Sequence, residues 1–405
     1  MKRCLFIWPL FFLLCFSQAG LRGQITTHPI SVDFYGDTLY LEALVPAIPS
    51  TPSSSPAVSE EAVKTYFDAI NSTAYTPIVN TLLQYRNDHQ LDDWLYYQLI
   101  RKTVQLISPK EVNYERYTVY KWFLLIKSGY GATLKIGNGR LMFYVQTNED
   151  IFNLPWYMRN GRQYVCLNYH DYQFTGNEKE LLAEVNLGNP ESLRSFTYKV
   201  TQLPGFKPAD YIEKELRFSY YNNDYHFNVK VNTEIKKIFA NYPVVDFELY
   251  FNIPLSKETY QSLIPALKKN IAKMKTRDGV DYLMRFTRYA FLFETDMVTF
   301  GGEKRLSPEQ TLLFDQSDCE DRAGLFFYLV KEIYDLPMIV LSFPQHITIA
   351  VKFDKPVGKP ITYNGQQYTI CEPTPQRDDL SIGKLIPSLN KKAYEVVYAY
   401  VPEIK

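Results

Sequence analysis

The chain has 405 residues, 46% hydrophobic and 22% charged, enough to bury the cores of two or three compact units. Lysine plus arginine equals aspartate plus glutamate at 44 each, so no net field holds a polyanion and nucleic acid is excluded as an expected partner. Tyrosine at 33 and phenylalanine at 26 suit large cores or aromatic concave faces.

Lys2 and Arg3 precede an apolar run over 4–16, and small residues follow near Ala19 and Gly23. This pattern predicts an export signal over 1–23, and the run is shorter than the roughly 20 residues a spanning helix needs. The mature chain is therefore expected in the periplasm or outside the cell, with no stable membrane span. Bulky Leu14 before Cys15 argues against a lipidated amino terminus. Residues 24–59 are expected as an amino-terminal segment ending in a Pro/Ser-rich linker.

A helical period runs over 60–107, with Val63, Phe67 and Ile70 on one face and Trp94, Leu95 and Leu99 later. The first folded unit is placed at 60–172. Between 195 and 253 the period changes to two, in Tyr225, Phe227, Val229 and Val231 and again in Val245, Phe247, Leu249, Phe251 and Ile253. A small antiparallel β unit is expected over 173–256. Helical spacing returns over 257–293 despite Pro265, opening a last unit at 257–405. There Ser307, Pro308 and Gln310 form a helix start with proline at the first position and a capping-box glutamine. A second helix is expected after Ser317 or Asp318, its apolar stripe being Leu325, Phe326, Leu329, Val330 and Ile333. Strands follow at 338–343, 346–353 and 367–372, the last after an Asn364-Gly365 turn.

Beyond the signal only Cys166, Cys319 and Cys371 remain, too sparse for a disulfide framework, so at least one thiol stays unpaired within the chain. Cys319 is expected in the first turn of a helix, where unpaired N–H groups and the macrodipole favour a thiolate. A cysteine nucleophile needs a base to share its proton and a third group to orient that base. His346 and Glu372, on the strands that follow, supply these types. The Cys319 N–H is the natural oxyanion donor, with Gln316 a speculative second. Asp318, Glu320 and Asp321 crowd the thiol and raise its pKa unless they point away. The competing reading makes Cys319 a packed thiol, His346 a surface strand residue and Glu372 a turn cap. His28, His89, His170 and His226 lack ligand spacing, so no metal is expected, and the lack of a glycine-rich phosphate loop implies no cofactor.

The segments LSPEQTLLFDQSDCEDRAGLFFYLVKEI, QHITIAVKF and YTICEPTPQRDDLSIGKL resemble the three blocks of bacterial transglutaminase-like cysteine proteases, a papain-related fold. The resemblance covers roughly 281–390. It implies Cys319 as nucleophile, His346 as base and then acid, and Glu372 as orienter, where many relatives carry aspartate. It also implies attack on an amide of a protein, peptide or peptidoglycan-like substrate through a thioester. Water would make the protein a hydrolase; an amine would make it an acyl transferase. The alternative is a non-catalytic peptide- or glycan-binding protein on the same scaffold.

The segment NGRQYVCLN at 160–168 echoes NGQQYTICE at 364–372, with four of nine positions identical at an offset of 204. This suggests that 60–172 is a degenerate copy of the last unit, with Glu115, Met142 and Asn168 in the places of Cys319, His346 and Glu372. The expected class is therefore α+β: a transglutaminase-like unit preceded by a degenerate copy and a small antiparallel β domain.

Overall fold

The computed structural model describes residues 26–45, 58–172, 182–187, 194–295, 298 and 304–403. The expected export signal lies outside the described residues, as does 46–57 of the linker. Before it, β1 (Thr26–Phe34) and β2 (Asp37–Val45) form an antiparallel hairpin in the amino-terminal segment, for which the sequence suggested no element. Val32, Phe34 and Leu41 of this hairpin are buried, so it belongs to the core.

Four helices follow: α1 (Glu60–Asn71), α2 (Thr76–Asp88), α3 (Asp93–Ile107) and α4 (Tyr114–Lys127). Asn113 caps α4 by accepting from the Arg116 N–H at 2.7 Å. The chain then builds β3 (Ala132–Gly137), β4 (Arg140–Thr147), β5 (Ile151–Phe152), β6 (Trp156–Arg159), β7 (Arg162–Cys166) and β8 (Ala183–Glu184). Among these, five strands make one antiparallel sheet in the order β6-β7-β4-β3-β8.

The middle section supplies a long hairpin, β9 (Tyr211–Tyr220) with β10 (Asn223–Asn232), and then α5 (Ile235–Ile238) and β11 (Val244–Val245). The alternation at 245–253 is not a strand. Residues Phe247–Phe251 form a short helix, α6, that buries Phe247, Tyr250 and Phe251, the i, i+3, i+4 face of a helical turn. Among the described residues the middle section thus contributes a two-stranded hairpin rather than a wider sheet.

The last unit comprises α7 (Lys257–Ile271), α8 (Thr276–Tyr289), β12 (Leu292–Phe293), α9 (Pro308–Leu313), β13 (Gln316–Ser317) and α10 (Cys319–Tyr334). Then come β14 (Met338–Phe343), β15 (His346–Val351), β16 (Ile361–Tyr363), β17 (Gln366–Cys371) and β18 (Glu395–Tyr400). The Ser307 capping box forms as expected, Gln310 N–H donating to Ser307 Oγ at 3.4 Å and Ser307 N–H to Gln310 Oε1 at 3.0 Å. Buried Glu309 ties α9 to its neighbours: its carboxylate accepts from the Ser256 and Asn232 N–H groups and from the hydroxyls of Ser256 and Thr259.

The second five-stranded sheet has the order β16-β17-β15-β14-β18, the same pattern of connections as the first. The match extends to register. Gly137 faces Arg140 across the first turn as Phe343 faces His346. Tyr144 pairs with Cys166 as Ala350 pairs with Ile370, and Arg159 with Arg162 as Tyr363 with Gln366. The first hairpins correspond at an offset of 206 (343 against 137) and the second at 204 (363 against 159). Both sheets follow directly on a helix, α4 and α10. One buried cluster runs from Val32 to Ile382 and includes residues of both units. No helix among the described residues is long and apolar enough to cross a membrane.

Candidate active site

Asp318 is the N-cap of α10, its carboxylate accepting from the Glu320 and Asp321 N–H groups at 3.0 and 3.2 Å. Cys319 is the first helical residue, half-buried and unpaired. The cap engages the two N–H groups after Cys319, and the Cys319 N–H lies outside that bonding. The expected position of the thiol at a helix start is therefore the observed one.

His346 opens β15, and the backbone N–H of the next residue, Ile347, points to the Cys319 sulfur. His346 Nε2 lies 2.8 Å from Glu372 Oε2. The other Glu372 oxygen accepts the Thr374 N–H at 2.9 Å, so a carboxylate only 1% exposed has both oxygens engaged. With Nε2 committed to Glu372, Nδ1 is the imidazole nitrogen left for the thiol. His346 and Glu372 are thus joined directly, while Cys319 meets this strand at the Ile347 N–H, and no hydrogen bond joins its sulfur to the imidazole among the described residues.

The thiol carries an electrostatic burden. Burial pushes its pKa well above the ordinary value, and the charges of Glu320 and Asp318 add to the rise. Asp321 points away: its Oδ1 accepts from the Leu306 N–H at 2.8 Å and the Tyr250 hydroxyl at 3.1 Å. A thiolate there needs a base close by to take its proton.

Gln316, the speculative oxyanion donor, lies in β13, paired in parallel with Leu292 of β12. No metal was expected from the histidine spacing, yet Asp318, Cys319 and Glu320 place their donor atoms within 4.8 Å of one another. Two backbone N–H groups already engage the Asp318 carboxylate as the helix cap.

Two arginines support the site without any local sequence signal. Arg288, from the end of α8 and 1% exposed, donates through Nε at 3.2 Å and through Nη2 to the backbone carbonyl of Glu372. Its Nη1 reaches Asp379 at 2.7 Å and the Leu380 carbonyl at 3.1 Å. Arg322, one turn along α10 from the thiol, is fully buried. It donates to the carbonyls of Ser317, Thr287, Arg288 and Phe291, which closes the carboxyl end of α8. Burial pulls its pKa down to about 10.

The corresponding place in the first sheet holds different chemistry. By hairpin register the partner of His346 is Arg140 rather than Met142, and by helix caps the partner of Cys319 is Tyr114 rather than Glu115. Asn168 does stand where Glu372 stands. Its Nδ2 donates to the Tyr114 hydroxyl at 2.8 Å and to the Leu141 carbonyl at 2.8 Å, and its Oδ1 accepts the Phe143 N–H at 2.8 Å. Compared with family models, with curated proteins and with solved structures, the chain finds no match, so these distances and bonds are what a functional reading of the chain rests on.

Proposed function

We propose that this protein is an exported, transglutaminase-like cysteine amidase or acyl transferase in which Cys319 is the nucleophile, His346 the base and Glu372 its orienter. The observation that carries the reading is the 2.8 Å contact of His346 Nε2 with a fully engaged Glu372 carboxylate, with the next N–H along β15 turned to the Cys319 sulfur. His346 Nδ1 takes the Cys319 proton as the sulfur attacks an amide carbonyl. The oxyanion is met by the Cys319 N–H, and the protonated imidazole then delivers its proton to the leaving amine. Water or a second amine resolves the thioester, His346 again taking and returning the proton. Export, and a protein, peptide or peptidoglycan-like amide substrate, belong to the same reading. They draw on the charged and apolar start of the chain and on the three segments quoted above.

A non-catalytic binding role is the second reading, and one observation favours it: the Asp318 and Glu320 carboxylates lie within 4.8 Å of the Cys319 sulfur, where their charge disfavours a thiolate. An activated acyl ester separates the two. Catalysis predicts a burst of leaving group with one acyl group on Cys319, and a rate about 100-fold lower or worse in His346→Ala. Acylation no faster than that of a free thiol, and unchanged in His346→Ala, favours binding.

The shared strand order and register of the two sheets support descent of 60–172 and the last unit from one ancestral unit. The first unit then keeps the scaffold with Tyr114, Arg140 and Asn168 in place of the reactive set. A relative with cysteine, histidine and an acid at those three places would establish this; relatives whose first unit lacks the matched register would sink it.

A further inference from the structure

A cavity of about 850 Å³ opens between the β9–β10 hairpin, α8 and the loop that carries Asp379. Its charged groups are all engaged within the wall, three carboxylates against two guanidinium groups. Arg217 pairs with Glu215 at 2.5 Å, Arg285 with Asp379 at 2.5 Å, and Asp224 accepts from Ser219 at 2.6 Å. An anionic ligand would meet three carboxylates beside guanidinium groups that are already paired, and a cation would meet those guanidinium groups. What the wall offers is a set of planar donors and acceptors with little net charge, which suits a neutral ligand rich in hydroxyl groups.

Its aromatic component has an unusual source. Tyr221 sits at the two-residue tip of the hairpin, between the paired Tyr220 and Asn223, with φ at 51°. That conformation belongs to glycine or asparagine in such turns, and a bulky residue there costs on the order of 1 kcal/mol or more. The Tyr221 ring lines the cavity. Its hydroxyl donates to Asp281 at 3.2 Å, the Arg285 guanidinium lies 4.3 Å from the ring centre, and the residue remains 62% exposed. Tyr289 lines the same cavity at 39% exposed. Two exposed rings beside paired planar groups offer an apolar face and a hydrogen-bonding edge together.

We propose that this cavity binds a neutral oligosaccharide, with Tyr221 and Tyr289 against sugar faces and Arg217, Asp224 and Asp379 at hydroxyl groups. Binding does not depend on the Cys319 chemistry. The cavity does adjoin it, because Asp379 also holds Arg288, which holds the Glu372 carbonyl.

The test is calorimetric titration of the full chain with chitotriose, cellotriose and maltotriose, alongside a sulfated disaccharide and a tripeptide of glutamate. One neutral trisaccharide should saturate at millimolar concentration or below, binding should weaken about tenfold or more in Tyr221→Ala and in Arg217→Ala, and Cys319→Ala should bind as the native chain does. Tyr221→Asn relieves the turn strain, so it should melt no lower than the native protein and still lose binding, which separates a lost contact from a damaged fold. The proposal is overturned if no neutral trisaccharide saturates, if only the acidic probes bind, or if saturable binding survives both Tyr221→Asn and Tyr289→Ala. Failure of the acylation experiment leaves this result standing, and the reverse holds too.

Discussion

At the scale of single residues the site turns on what surrounds one sulfur. Burial, Glu320 and Asp318 all push the Cys319 thiol up, so removing either charge should bring it down. Asp318→Asn keeps an oxygen for the cap and deletes the charge; Glu320→Gln deletes the other. Each should shift the pH profile of iodoacetamide alkylation at Cys319 to lower pH and speed labelling at neutral pH, and unchanged profiles would show that the two carboxylates do not act on the sulfur. Asn168 in the first sheet plays a structural part, donating one amide hydrogen to Tyr114 and the other to Leu141. Asn168→Asp removes both donors, and urea unfolding should show a loss of about 1–3 kcal/mol. Cys319, His346 and Glu372 were legible in the sequence because each sits beside a local cue: a cap and an apolar stripe, the start of an alternating run, and the strand after an Asn-Gly turn. Arg288 and Arg322 were not, because their partners are backbone carbonyls of distant segments, and such bonds leave no residue pattern.

At the scale of elements, α10 presents its amino end to the site while Arg322 fastens it to the carboxyl end of α8. Arg322→Met should leave the carbonyls of Thr287, Arg288 and Phe291 without their donor. Equilibrium urea unfolding should then fall by about 3–5 kcal/mol; a change under about 1 kcal/mol would show that water replaces the guanidinium at no cost. Arg322→Lys should recover only part of the loss, since an ammonium cannot span four carbonyls as a planar fork does. Most elements could be read from periodicity and caps, the Ser307 box down to its two hydrogen bonds. The segment at 245–253 misled because five residues fit both periods: Phe247 and Phe251 are apolar in either, and only burial of Tyr250 in place of Leu249 distinguishes helix from strand. The hairpin at 26–45 was missed for another reason. It earns its place by packing on the first helices, a tertiary contact that its own composition does not announce.

At the scale of the whole molecule, two sheets of matched order and register lie before and after the β9–β10 hairpin in the chain, and one buried cluster includes residues of both. The Asn-Gly echo pointed to this repetition, but a single offset could not place every partner. The first hairpins correspond at 206 and the second at 204, so gapless alignment set Met142, not Arg140, against His346. Global stability should carry a mark of the first unit. Lys121 is 1% exposed with its ammonium 4.3 Å from the centre of the Tyr117 ring, and burial pulls its pKa to about 7 from 10.5. Between those values the unfolded chain binds more protons than the folded one, so stability rises with pH across that window. Below it both states are protonated and the penalty is present in full. Lys121→Met should therefore raise the urea midpoint at pH 7 and flatten the rise toward pH 10; an unchanged slope would show that Lys121 is solvated in the folded state.

The central claim is that this scaffold sets a cysteine to attack an amide carbonyl, and it is tested most directly by mass spectrometry of the chain quenched during reaction with an activated acyl ester. The account predicts one acyl group, confined to Cys319, formed in a burst that His346→Ala abolishes and Glu372→Gln slows by about tenfold or more. Acyl groups spread over Cys166, Cys319 and Cys371, or a Cys319 adduct that forms equally fast without His346, would contradict it.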